Sequence, residues 1–149
     1  MNSNLKIMFK RVAGCGDLPI PQYASDGAAG FDLSAAIEEA VSIPPCTRVL
    51  VPTGIIVMIP NGHEGQVRPR SGLALKYGIS VLNSPGTIDS DYRGEIKVIL
   101  INHGNQTYSL SRGERIAQLV VSPICRVILE EVTELKKTIR GEGGFGSTG

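Results

Sequence analysis

The chain has 149 residues and a mass of 15.9 kDa, a length that ordinarily makes one domain burying about 68–70% of its unfolded surface. Fifteen basic residues against 14 acidic ones leave a formal charge of +1, which supplies neither the basic patch of a duplex nucleic-acid binder nor a polybasic membrane anchor. Three widely spaced cysteines (Cys15, Cys46 and Cys125) and two isolated histidines (His63 and His103) argue against structural zinc and a disulfide framework, and for a reducing compartment.

No run approaches the ~18 apolar residues of a membrane span. The segment holding Lys6, Lys10 and Arg11 has no apolar core of signal-peptide length, so the expectation is a soluble cytoplasmic protein. Eighteen glycines, nine prolines and no tryptophan predict many turns.

In chain order, the first chemically notable stretch is Ala29-Gly30-Phe31-Asp32-Leu33-Ser34-Ala35-Ala36. A carboxylate in so apolar a setting needs a partner; a hydrated Mg²⁺ and a simple turn cap both satisfy that need. Short β-branched runs follow at Thr47 to Val51 and Gly54 to Ile59. The second closes on Pro60-Asn61-Gly62 before Gly65 to Arg68 resumes, and Asn-Gly between apolar runs predicts a hairpin. Arg68-Pro69-Arg70-Ser71-Gly72 leads into the one helical segment, Gly72 to Tyr77, rich in helix formers and with Gly78 placed to cap it. Arg70 and Ser71 there read either as a surface charge and an N-cap or as part of a phosphate cradle.

Ser80 to Leu82 is the next predicted strand. It precedes the densest cluster in the chain, Gly86-Thr87-Ile88-Asp89-Ser90-Asp91-Tyr92-Arg93-Gly94-Glu95-Ile96. Two carboxylates, an aromatic ring and a guanidinium within five residues can bring a water, a sugar and a phosphate together on a hairpin; a solvated turn is the plain alternative. From Glu95 onward Ile96, Val98 and Leu100 alternate with Glu95, Lys97 and Ile99, which is strand periodicity. Tyr108 to Leu110, Arg115 to Val121 and Val127 to Val132 complete the expected strands. Gln118 stands as a polar group within an apolar strand, either a core amide or a cleft residue. Turn signals about every 8–12 residues predict an all-β domain with one short helix.

The tail, Arg140-Gly-Glu-Gly-Gly-Phe-Gly-Ser-Thr-Gly, contains a G-x-G-x-x-G match at Gly141 to Gly146. No helix can follow it, and no G-K-[ST] ending is present, so it is neither a dinucleotide fingerprint nor a P-loop. Its composition fits a disordered tail or a mobile arm that closes over a ligand, with Phe145 stacking on a flat ring and Arg140 and glycine amides gripping phosphate.

Taken together and in order, these clusters resemble the five motifs of the trimeric dUTPase family: Ala29 to Ala36, Arg68 to Lys76, Asn83 to Ile96, Arg112 to Leu119, and Arg140 to Gly149. The resemblance spans nearly the whole chain from about Leu18. It implies an antiparallel jelly-roll or β-clip-type barrel, one domain over 1–149 with 139–149 as a flexible glycine-rich C-terminal arm, and a homotrimer whose three active sites are shared between subunits. It implies hydrolysis of dUTP to dUMP and pyrophosphate by in-line attack of water on the α-phosphorus, a reaction that keeps uracil out of DNA and supplies dUMP for thymidylate synthesis. By the resemblance Asp89 takes a proton from the water. Arg70, Ser71, Gly72 and Gln118 hold the phosphates. Asn83, the Gly86-Thr87-Ile88 backbone and that of Lys97 read uracil, and Tyr92 lies against the deoxyribose. Arg140, Phe145, Gly146 and Ser147 close the site. Mg²⁺ is held mainly by the triphosphate, with Asp32 touching it through water. No nucleic acid and no membrane partner is implied.

A dCTP deaminase of the same fold would need a glutamate on the strand after the third cluster, where Ile96-Lys97-Val98-Ile99-Leu100 has none. A non-catalytic nucleotide-binding protein would not need Asp89 and the tail, and both are intact.

Overall fold

The computed structural model describes residues 5–144 and Gly146. Its elements are β1 (Met8–Arg11), β2 (Phe31–Ser34), β3 (Val41–Ile43), β4 (Arg48–Pro52), β5 (Ile55–Met58), β6 (His63–Pro69), α1 (Ser71–Tyr77), β7 (Ile79–Val81), β8 (Gly86–Ile88), β9 (Lys97–Asn102), β10 (Tyr108–Leu110) and β11 (Arg115–Pro123). All strand pairs are antiparallel. They form a four-stranded sheet β2-β11-β6-β8, a three-stranded sheet β4-β9-β7, and the pairs β1-β5 and β10-β3. These sheets stack around a single core as a jelly roll and do not close into a barrel.

The core follows from strand alternation. On β9 and the residue before it, Ile96, Val98 and Leu100 are fully buried, while Lys97 is exposed. Leu33, Val67, Ala117 and Leu119 face inward from the four-stranded sheet, so Asp32, Arg68 and Gln118 are left on its outer face. Burial of this kind stabilises by about 25 cal/mol per Å² of apolar surface.

The Pro60-Asn61-Gly62 turn forms as expected: the His63 N–H donates to the Pro60 carbonyl at 3.2 Å, and Gly62 takes a φ of +80°. It does not make a hairpin. β5 pairs with β1, and β6 pairs with β11 and β8, so the turn is a corner between sheets. Its outer carbonyl, on Gly62, accepts the Ile124 N–H at 2.9 Å, which ties the corner to the end of β11. Val127 to Val132 is likewise not a strand. The segment is exposed, with Ile128 at 97% and Leu129 at 92%; it has β-branched and apolar residues but no partner strand among the described residues.

The helix runs one residue earlier than the sequence suggests. Arg70 is its N-cap and makes no side-chain cap bond. Ser71 is therefore the first helical residue, and its hydroxyl is not the N-cap. At the other end Gly78 takes φ +70° and donates its N–H to Ala74 and Leu73 carbonyls, the left-handed cap that favours glycine. A side chain there would also run into the Gly104 backbone.

Arg112 secures the N-terminal loop. Its guanidinium donates to Asp17 Oδ1 at 2.7 Å and Oδ2 at 2.9 Å, and to the Gly14 and Ile37 carbonyls at 3.0 and 3.1 Å. The hydrogen bonds from Arg112 lower the Asp17 carboxyl from 3.8 to about 2. A depressed carboxyl stabilises the fold above its unfolded value, and that contribution is lost as pH falls through the folded one. The pair is exposed, so the effect is small. In a denaturation series from about pH 5 down to about pH 2, Asp17→Asn should flatten the stability loss between pH 3.8 and about 2. An unchanged acid limb would show that the pair carries none of it.

Candidate active site

The outer face of the four-stranded sheet brings together three of the sequence clusters. Asp32 on β2, Gln118 on β11 and Arg68 on β6 share one row of the register. Arg70 follows directly after β6, and its Nε donates to Asp32 Oδ1 at 3.1 Å. Arg115 Nη1 donates to Asp32 Oδ2 at 3.2 Å. The partner that Asp32 needs is therefore a pair of guanidiniums. Arg70 also donates from Nη1 to the Arg115 carbonyl at 3.2 Å, which leaves Nη2 uncommitted. Ser71 and Gly72 stand beside it, both exposed, with the unpaired first N–H groups of α1. A hollow of about 120 Å³ lined by Asp32, Ser34, Arg115, Gln22 and others adjoins the carboxylate. This set presents cationic donors and backbone amides to an anion.

Arg68 does not join it. Its guanidinium is bound to Gln66 Oε1, and Gln66 in turn donates to Glu64 Oε1 at 2.8 Å. Arg115 is the residue that sequence reasoning left out of the site. The bond that reveals its role spans 83 positions, so no local pattern could signal it.

The second half of the expected site lies elsewhere. Asn83 is exposed next to Gly86, whose backbone packs so close that an added Cβ would come within 3.2 Å of the Asn83 amide. Thr87 pairs with Gln66 and Ile88 with Gly65. Asp89 follows on a turn closed by the Tyr92 N–H donating to the Asp89 carbonyl at 3.1 Å. Asp89 is exposed and lines a cleft of about 350 Å³ with His63, Glu64, Asp91 and Arg126. Tyr92 has a local partner after all: its hydroxyl donates to the Glu95 carbonyl at 2.9 Å, and its ring covers Gly94. Glu95 is itself anchored by the Gly54 N–H at 2.8 Å. Lys97 is exposed at the start of β9.

Asp32 lies on one edge strand of the sheet and Asp89 just past the other, while Arg70, Ser71 and Gly72 follow β6, the neighbour of β8. Three strand spacings separate β2 from β8, about 14 Å across. Asp32 lies level with Arg68 and Ile88 level with Gly65, a further three residues or about 10 Å along.

Arg140 is exposed and bonds within its own turn, Nε to the Gly143 carbonyl at 2.8 Å. Gly146 is exposed with φ +88°. Phe145 and Ser147 lie outside the described residues.

Among known proteins, the profile of the dUTPase family matches residues 17–149. The chain belongs to the dUTPase family. Its activity is accordingly hydrolysis of dUTP. Similar proteins include the deoxyuridine 5'-triphosphate nucleotidohydrolase of Wolbachia sp. subsp. Brugia malayi (strain TRS), 54% identical with 99% of this chain and 96% of that one covered. That of Methylocella silvestris is 56% identical, covering 100% and 94%. Among solved structures, the Staphylococcus bacteriophage 80alpha dUTPase with dUpNHpp superposes with a TM-score of 0.86 at 27% identity, over 97% of this chain and 98% of that one.

For this dUTPase the carboxylate of Asp32 is the keystone of one half-site. Asp32→Ala should cost about 1–3 kcal/mol, because it leaves the half-buried Arg70 facing Arg115 with no intervening charge. Arg115→Ala should cost less than about 1 kcal/mol. Urea denaturation of both variants checks the order.

Proposed function

We propose that the chain hydrolyses dUTP to dUMP and pyrophosphate as a homotrimer, each site joining Arg70, Ser71, Gly72, Gln118 and Asp32 of one copy to Asp89, Tyr92, Lys97 and the Asn83 to Ile88 segment of a neighbour. The observation that carries this is the separation of Asp89 from Arg70: Asp89 follows Ile88, which is level with Gly65 on β6, and Arg70 lies five residues further along, about 16 Å. A base and a phosphate grip must meet at one phosphorus, and a single chain holds them far apart. The exposed apolar side chains of Val127, Ile128, Leu129, Val132, Leu135 and Ile139, interspersed with charged residues, support association, since monomers rarely leave large apolar surface uncovered, and closed rotational symmetry is the usual outcome.

In this reading Asp89 accepts a proton from the attacking water. The water oxygen bonds the α-phosphorus, and the bond to the bridging oxygen of the β-phosphate breaks. Arg70, the Ser71 hydroxyl, the Gly72 amide and Gln118 orient the triphosphate. Hydrogen-bonding groups on the Asn83 to Ile88 segment favour uracil over cytosine, whose donors would be mispaired, a stronger discrimination than exclusion of a thymine methyl. Tyr92 packs against the sugar and excludes a 2′-hydroxyl. Arg140, Phe145, Gly146 and Ser147 of a third copy's arm, residues 139–149, complete the enclosure.

Mg²⁺ fits the residues present. Among the described residues no group of three or more His, Cys, Asp or Glu forms a protein cage. Mg²⁺ instead keeps waters and takes one or two carboxylates plus substrate phosphates. Asp32 accepts two guanidinium bonds, and a carboxylate has about four acceptor sites, so it retains capacity for a metal-bound water. The ion would neutralise triphosphate charge. Three free cysteines and the lack, among the described residues, of any helix long and apolar enough to cross a membrane are compatible with a cytoplasmic setting.

Asp89→Asn should nearly abolish pyrophosphate release while dUTP still binds; loss of binding in parallel would remove the base assignment. Arg70→Ala should also be inactive. Random mixed trimers of these two variants should regain about a quarter of wild-type turnover if each site draws on two copies, and none if each site lies within one chain. Tyr92→Ala should admit UTP as a substrate, with the UTP/dUTP ratio of kcat/KM as the readout; an unchanged ratio would take Tyr92 out of sugar selection.

A further inference from the structure

Helix α1 carries the phosphate-gripping end of the site, yet the fold holds it lightly. None of its seven residues is buried. Of them only Leu73 packs against the core cluster, and Leu75 is 92% exposed. A cavity of about 750 Å³ opens beside the helix, walled by Tyr77, the loop from His103 to Thr107, Tyr108 and Glu114. A short helix over so much empty volume can tilt unless something else fixes it.

Two consecutive residues help to fix both ends, the C-terminal one being tied as well by the His103 N–H, which donates to the Gly78 carbonyl at 2.8 Å. At the N-terminal end, Arg70 donates to the Arg115 carbonyl at 3.2 Å and shares Asp32 with the Arg115 guanidinium. At the C-terminal end, the Tyr77 ring packs on Tyr108 with centroids 5.1 Å apart at 53°. The Tyr108 hydroxyl donates to Glu114 Oε2 at 2.8 Å. Glu114 is firmly placed, since its carbonyl accepts the Ala35 N–H at 2.8 Å. Burial first, and then the bond to Glu114, push the Tyr108 phenol well above its ordinary range, so the donor keeps its proton wherever the protein is folded. Glu114, the residue before β11, thus reaches the far end of the helix through one charge-assisted bond to Tyr108 and the packing of the Tyr108 ring on Tyr77.

We propose that Glu114 is a positioning residue for the triphosphate: through Tyr108 it seats α1, and so sets where Arg70, Ser71 and Gly72 meet the phosphates. It touches no substrate atom. The role rests on the assignment of those three residues to the phosphates. Without the brace, the Tyr77 side of α1 loosens toward the adjoining cavity, and the grip on the distal phosphates slackens while the uracil and sugar contacts, made by another copy, stay in place.

The test compares Glu114→Ala, Glu114→Gln, Tyr108→Phe and the Glu114→Ala/Tyr108→Phe double variant of the full chain. The readouts are kcat and KM for dUTP, dissociation constants of a non-hydrolysable dUTP analogue and of dUMP, and melting temperature. Glu114→Ala and Tyr108→Phe should each weaken the triphosphate about tenfold and change dUMP less than about threefold. The double variant should be no worse than either single one, because both remove the same bond. Glu114→Gln, which keeps an acceptor, should recover most of the loss. Equal weakening of triphosphate and dUMP, additive losses, or no change in triphosphate affinity would each overturn the proposal. Glu114→Gln and Tyr108→Phe are mild enough to keep the test open should Glu114→Ala fold poorly. Arg70→Ala, run alongside, separates the levels. If it leaves triphosphate affinity intact, the phosphate assignment fails and the brace falls with it; if it weakens the triphosphate and Glu114→Ala does not, only the brace falls.

Discussion

Strand β11 is hydrogen-bonded along both edges, to β2 on one side and β6 on the other, and most of the site's geometry is referred to it. Its register sets Gln118 between Asp32 and Arg68. Its first residue, Arg115, supplies a carbonyl to Arg70 and a guanidinium to Asp32. The residue before it, Glu114, reaches α1 through Tyr108, and the residue after it, Ile124, closes the corner at Gly62. A slip of one position would turn Gln118 inward and Leu119 outward. The buried Leu119 and Ala117 make that slip costly. The polar row on the outer face is therefore held by the apolar row on the inner one.

Within that frame a single carboxylate organises opposed charges. Two guanidiniums placed side by side repel, and each is expensive to desolvate. Asp32 accepts from both, which fixes their separation and direction before any anion arrives. Such preorganisation lowers the reorganisation that an anion's binding there would require. The other half-site is rigid for different reasons: the Tyr92 hydroxyl, the Glu95 carboxylate and the Thr53 hydroxyl all bond to backbone groups between Gly54 and Ile96, so the loop bearing Asp89 ends on a fixed strand.

How much of this was legible in the residues depended on whether the deciding force was local. β9 could be read from alternation because one of its faces is wholly buried. The αL cap at Gly78 could be read because it rests on the glycine itself. The strands β1, β2, β3 and β8 are short, and β2 has an aspartate in its middle, so none announced itself. Asn61-Gly62 did specify a turn, but a turn does not choose which strands pair, and β1 took the edge of β5 that a hairpin would have used. Val127 to Val132 had the pattern of a strand without the neighbour that would make it one. For the site, the clusters holding Asp32, Arg70 and Asp89 were visible as unusual local chemistry. That Asp32 grips two arginines, and that Tyr108 packs on Tyr77, came only from contacts between distant segments.

The exposed run from Val127 to Ile139 follows β11 in the chain and is therefore made after every strand of the core. On a ribosome the body of the domain can close before this adhesive stretch leaves the exit, since domains tend to fold as units during synthesis. An apolar segment that emerged first would meet unfolded neighbours and invite aggregation. Placed here, it is released only after the strands it follows, onto a surface that can already be folded. The order of residues in the gene thus doubles as a schedule for exposure.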